Sequence, residues 1–146
     1  MRILVDADAC PVKAEIANIA RRHGVEVLMV ASHAHEIREA PGVAVLRVDM
    51  SPQAADVALV NQARRGDVVV TGDHGVACMV LGRGVAALSF RGQIYSEENI
   101  DGLMASRHMA ARARRGGARS RGPRPFSGDD AARFSEALEA LLAGRD

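Results

Sequence analysis

Apolar positions along this chain alternate between two patterns. Residues 2–7, 25–31, 43–48, 67–71 and 85–88 are short apolar runs with no helical period, and they predict strands buried on both faces. Between the first two runs, Val12, Ile16, Ile19, Ala20 and His23 recur at helix spacing. Pro11 suits the first turn of that helix and Gly24 stops it. Ser51-Pro52 opens a second helix that runs to about Arg65 and ends at Gly66, and residues 76–81 predict a short third one.

After Gly92 the alternation gives way. Ser96 can cap a helix with Ile100, Leu103 and Met104 on one side. Residues 112–125 are rich in Arg and Gly, lack an apolar period and predict a mobile loop. Ser127-x-x-Asp130 resembles a capping box and precedes a stripe of Ala131, Phe134, Leu138, Leu141 and Leu142. The expected fold is α/β, with a central, mainly parallel sheet flanked by helices on both faces. We expect one domain over residues 1–146, with a core over about 1–111, an Arg/Gly-rich loop over about 112–126 and a C-terminal helix over about 128–143 packing back on the core.

The length of 146 residues suits one domain and buries enough surface to need no staples. Cys10 and Cys78 therefore suggest two reduced thiols in a cytoplasmic protein rather than a disulfide framework. Asp6 and Asp8 break the first apolar run, so it does not resemble a secretory leader, and no run approaches a membrane span.

The net charge of +1 hides a pattern. Residues 102–128 hold seven Arg and no acid, whereas residues 1–101 and 129–146 are each net acidic. Seven Arg would neutralise several phosphates, and Arg fits phosphate bidentately. Nucleic acid, RNA first, is the expected partner, with Arg107, Arg112 and Arg114 as backbone contacts. Aromatic residues are too scarce nearby for base-specific stacking.

In an open parallel sheet, ligands gather at the carboxyl ends of the strands. Asp6 and Asp8 follow the first strand and Asp73 the fourth, so they converge if those strands are neighbours. Asp56 lies one turn into the second helix, with Val60 and Ala63 at i+4 and i+7, on or beside its apolar face. A carboxylate aimed at a core is costly unless it is paired or bound to metal. Carboxylate oxygens with water suit Mg²⁺ or Mn²⁺ and leave room for phosphate. Asp6 and Asp73 are the principal expected ligands, with Asp8 and Asp56 completing the site. Lys13, near a helix N-terminus, could hold a phosphate.

Structural duties compete with these roles. Asp8 could cap the first helix, Asp73 could be a turn residue, and Asp56 could serve the helix dipole. Gly82-Arg83-Gly84 imitates a dinucleotide fingerprint in the wrong order between helix and strand. His33-Ala34-His35 suggests a solvated loop, and His74 is either a turn residue or a proton shuttle. Cys10, placed at a helix N-terminus, would have a lowered pKa, but no base can be assigned to it.

Residues 6–13 (Asp-Ala-Asp-Ala-Cys-Pro-Val-Lys), Ala55-Asp56, Gly66–Thr71 with Asp73, Arg91-Gly92 with Tyr95, and Gly122-Pro123 resemble the YaiI/YqxD family of uncharacterised bacterial proteins. The likeness covers nearly the whole chain. Phe90 stands where a Pro is frequent in that family, and an acid that some members carry near Gln53 is missing. The resemblance implies a PIN-like nuclease fold with an acidic cluster at Asp6, Asp8, Asp56 and Asp73, without supplying a demonstrated activity. The expected function is a Mg²⁺- or Mn²⁺-dependent phosphodiesterase acting on RNA or DNA. Its rivals are a non-catalytic RNA-binding or regulatory module with a vestigial acidic site, and a haloacid-dehalogenase-type phosphatase. The last would want a Lys late in the chain, where none occurs.

Overall fold

The structure, a computed structural model, describes residues 1–33, 37–51, 53–117 and 124–144. Its centre is β1 (Arg2–Asp6), whose Ile3, Leu4 and Val5 are fully buried. On one side β1 pairs in parallel with β2 (Glu26–Ala31), which pairs in parallel with β3 (Val43–Arg47). On the other side it pairs in parallel with β4 (Val68–Val70), followed by β5 (Ala86–Leu88) and the antiparallel edge β6 (Ile94–Tyr95). The order β3-β2-β1-β4-β5-β6 reverses direction between β1 and β4, the doubly wound arrangement that opens a crevice at their carboxyl ends. Val5 faces Val70 in register, so Asp6 and Thr71 emerge side by side at that crevice.

Because both faces are covered, successive residues of one strand serve opposite cores. Ile3, Val5, Val68 and Val70 point to α1 (Lys13–His23) and α5 (Gly128–Ala143), meeting Ile16, Ile19, Phe134 and Leu138. Leu4 and Val69 point to α2 (Ala54–Gln62), α3 (His74–Leu81) and α4 (Glu97–Arg115), meeting Leu59, Val60, Val76, Val80 and Ile100. Each fully buried Val of β4 contributes about 1.5–3 kcal/mol by leaving water. The parallel sheet, its double covering and the returning C-terminal helix follow the sequence pattern. No helix among the described residues is long and apolar enough to cross a membrane.

Four local expectations change. The N-cap of α1 is Val12, so Pro11 lies outside the helix, after a short 3₁₀ turn at Ala7–Ala9. Helix α2 is shorter at both ends than expected, running only from Ala54 to Gln62, and Ala63 is already extended. The pair Ile94–Tyr95 adds an edge strand too short to show a period.

The largest change concerns residues 112–115, expected in the Arg/Gly-rich loop but carried in α4 through Arg115. Ala and Arg are strong helix formers, and the Arg residues of the last turn favour the negative end of the helix dipole. A reciprocal Ser96–Asn99 capping box starts α4, and Gly116 ends it. Residues 118–123, including Gly122-Pro123, lie outside the described part, as do Ala34 and His35.

Helix α5 is tied to the β5–β6 loop by a buried carboxylate. Asp130, with no exposure, closes the capping box with Ser127 and accepts from Arg91, Arg124 and Arg133 at 3.1, 2.6 and 2.5 Å. The Arg124 guanidinium, the largest influence, holds the Asp130 carboxyl far below the usual carboxylate range, helped by Ser127 and Arg133.

Candidate acidic site at the sheet crest

The carboxyl ends of β1 and β4 bring Asp6 and Asp73 to one crevice. The first turn of α2, which starts at the same end of the sheet, adds Asp56. Asp6 is half-buried, and its Oδ2 accepts from the Thr71 hydroxyl at 3.3 Å. Burial pushes its carboxyl up to about 6, and the charges of Asp56, Asp8 and Asp73 push the same way against the Thr71 hydrogen bond. Burial also raises Asp56, with Asp73 adding to it and Arg107 opposing it. These three acids therefore repel one another across one site. Among the described residues, no cation stands within ion-pair distance of Asp6 or Asp56.

Asp73 carries a structural duty as well. Its Oδ1 accepts from the Val76 backbone N–H at 3.1 Å and caps α3, while its own N–H donates to Thr71 Oγ1 at 3.0 Å. Thr71 thus braces both strand ends, although nothing in its sequence pattern distinguishes it from the strand that precedes it. Asp73 Oδ1 also lies 3.7 Å from the exposed guanidinium of Arg107. That contact brings the expected basic segment to the acidic crest through a helix rather than a loop.

Asp8 does not cap α1. Its carboxylate accepts from the Ser32 N–H at 2.9 Å, the Ser32 hydroxyl at 2.7 Å and the His33 N–H at 3.1 Å, fixing the chain that leaves β2. These bonds outweigh the opposing effect of burial and lower its pKa. Its charge still reaches Asp6. Lys13 is the first residue of α1, and its ammonium donates to the Cys10 carbonyl at 3.1 Å. Arg112 and Arg114 sit near the end of α4 and are exposed.

The sequence reading missed the burial of two further acids, Asp67 and the capping-box residue Asp130. Asp67 and Asp130 are buried but satisfied, Asp67 by the Arg2 and Arg64 backbone N–H groups at 2.9 Å each. Asp67 stands at the opposite end of β4 from the crevice, so it holds the fold rather than a ligand.

Burial reverses the expectation for Cys10. The side chain is 5% exposed, and desolvation pushes its thiol up to about 11. Cys78 is half-buried. A thiol reagent added to the native protein at pH 8 should therefore modify Cys78 and leave Cys10 untouched until denaturant is added, as read by peptide mass. Rapid labelling of native Cys10 would show that the thiol is accessible after all.

His74 packs edge-on against Tyr95 at 5.7 Å, and its Nδ1 is buried without a partner among the described residues. The Tyr95 hydroxyl donates to the Thr71 carbonyl at 3.4 Å. Burial, with Asp73 adding to it, pushes that phenol up to about 12. His74, Met104, Arg107 and His108 line a cleft of about 300 Å³ between α3 and α4, beside Asp73. His108 had no distinguishing motif, because helix packing alone places it, whereas Tyr95 is set by the pairing of β6 with β5.

Among the described residues, no three His, Cys, Asp or Glu side chains close around a point where an ion would sit. The donor chemistry nevertheless suits Mg²⁺, which binds through one or two carboxylates and keeps several waters. Mutual repulsion gives the same indication, since among the described residues only Arg107, paired with Asp73, offsets it and none pairs with Asp6 or Asp56.

The chain matches, over residues 4–144, the family described as "Uncharacterized BCR, YaiI/YqxD family". It is 44% identical to a UPF0178 protein of Shouchella clausii over 96% of this chain and 91% of that one. It is 43% identical to a UPF0178 protein of Ruminiclostridium cellulolyticum over 94% and 90% of the two chains. A UPF0178 protein of Halalkalibacterium halodurans is 38% identical over 98% and 91%. No solved structure gives a significant match.

Proposed function

The chain belongs to the YaiI/YqxD family, and from that premise we propose that it is a Mg²⁺- or Mn²⁺-dependent phosphodiesterase cutting RNA, or DNA, at the crest of its sheet. The observation that carries this reading is Asp6. A half-buried carboxylate raised to about 6 by desolvation and by three neighbouring acids is an expensive feature for a fold to keep without a cation. The placement of that acid beside β4 at the switch point supports the PIN-like expectation, and the Arg107–Asp73 contact supports a phosphate partner.

Asp6 and Asp73 would hold the metal most directly, with Asp56 and Asp8 reaching it through water. When bound, the ion supplies an activated water and offsets charge on the phosphoryl oxygens. The chain's own residues do the rest. The Thr71 hydroxyl donates to the Asp6 carboxylate and accepts from the Asp73 backbone N–H, tying the two strand ends together. Arg107 leaves Asp73 for the phosphate, exchanging a half-buried anion for the substrate's, and Arg112 and Arg114 continue the contact along the nucleic-acid strand. Lys13 and the amides starting α1 offer a second phosphate contact.

The duties of Asp73 and Asp8 as cap and loop anchor favour one rival, a binding module whose acids are structural. Turnover separates the two. With Mg²⁺, purified protein should shorten a 5′-labelled single-stranded RNA, chelator should stop it, and Arg107→Ala should weaken it about tenfold by losing a charged phosphate contact. RNA held in a salt-sensitive complex but never shortened, in Mg²⁺ or Mn²⁺, would favour the binding module instead.

A further inference from the structure

Beside the acidic crest lies a second cavity, of about 260 Å³, between α2 and α3. Gln53, Asp56 and Asp73 stand on its polar side, and Val57, Val60, Val76 and Met79 form its apolar side. Val57 and Met79 are 55% and 58% exposed, an unusual use of large apolar side chains next to two carboxylates. The adjoining cleft with Arg107 and His108 shares Gly75 with this pocket. Gly75 forms a bare saddle between them, since a Cβ there would sit 3.0 Å from Asp73 Oδ1. One side of the saddle is apolar and the other cationic, with the acids between.

A polynucleotide presents the same alternation, an apolar base face beside an anionic linkage. We infer that the α2–α3 pocket takes one unpaired nucleobase, laying the adjoining phosphodiester over Gly75 between Asp73 and Arg107. This deepens the phosphodiesterase reading and rests on it, naming single-stranded nucleic acid as the substrate class. A paired base is stacked and held in its duplex, and freeing it costs a few kcal/mol. The pocket has no aromatic platform, so it grips the base between aliphatic and thioether surfaces. Met79 adapts to different bases, and recognition is therefore tolerant of sequence.

The test uses fluorescence anisotropy with Ca²⁺ as the cation and four labelled 12-mers: a single-stranded RNA, a single-stranded DNA, an abasic oligomer of equal charge and an RNA duplex. Single strands should bind at least fivefold tighter than the abasic oligomer and the duplex. Met79→Gln and Val57→Asn each keep the charge and alter exposed positions. Each should weaken single-strand binding about fivefold and leave the abasic oligomer unchanged. An abasic oligomer bound as tightly as RNA, a duplex bound best, equal loss on both probes or no binding of any oligomer would overturn the inference. Base-dependent binding without cutting in Mg²⁺ would sink the phosphodiesterase reading and leave the pocket standing. Cutting that ignores Met79→Gln would do the reverse. The RNA and DNA arms show whether the sugar is read as well.

Discussion

Asp6→Asn should abolish RNA cutting, by 100-fold or more, while raising the melting temperature. The two effects have one cause. The ionised Asp6 carboxylate is desolvated and faces Asp56, Asp8 and Asp73, so its folded pKa of about 6 stands above the ordinary Asp value of 3.8. A raised pKa means that the folded protein binds the proton more tightly than the unfolded chain does. Stability from this group is therefore full below pH 3.8 and is lost as pH rises through about 6. At pH 7 the charge costs about 1–2 kcal/mol after solvent screening, or roughly 3–6 °C in melting temperature. Asn removes that cost and the metal ligand together. Below pH 4 the gain in stability should vanish, which calorimetric melts at pH 3.5 and 7 would show. A variant that melts earlier at pH 7, or cuts at the wild-type rate, would remove Asp6 from the proposed role.

Gly92→Ala should destabilise the protein by about 3 kcal/mol or more, measured by urea unfolding, without touching the crest. Gly92 has φ +91°, a conformation that L side chains rarely adopt. A Cβ there would meet the Arg133 carbonyl carbon and oxygen at 2.7 Å and the Phe134 nitrogen at 2.8 Å. Backbone cannot rotate aside as a side-chain end can, so α5 would have to lift. Lifting it would strain the contact of Asp130 with Arg91 and pull the fully buried Phe134 from the core. A variant as stable as the wild type would show that the loop and α5 are not held in this close approach.

The layered sheet was legible in the sequence because its strands are apolar runs and its helices keep a 3.6-residue period. Val68–Val70 and the Ile16–Ile19–Ala20 face could pack in few other ways. The end of α4 was not legible, because Arg and Ala without an apolar stripe look alike in an exposed helix and in a solvated loop. Of the site, the approach of Asp6 to Asp73 followed from the pairing of β1 with β4. The loop-anchoring duty of Asp8, in place of the helix cap that competed with its site role, was not legible, because Ser32 and His33 are distant in sequence and meet it only through β2. Cys10 was misjudged because a position before a helix says nothing of the burial that dominates its pKa. Thr71, Gly75 and His108 gain their places from tertiary packing, which a single sequence does not display.

The claim that the crest is a metal centre can be tested without choosing a substrate. Calorimetric titration of Mn²⁺ into the wild type and Asp73→Asn does so most directly, because Asn caps a helix about as well as Asp and α3 keeps its start. The account predicts saturable Mn²⁺ binding by the wild type and at least a tenfold loss of affinity in the variant. No Mn²⁺ uptake by the wild type, or equal affinity in the two proteins, would contradict it.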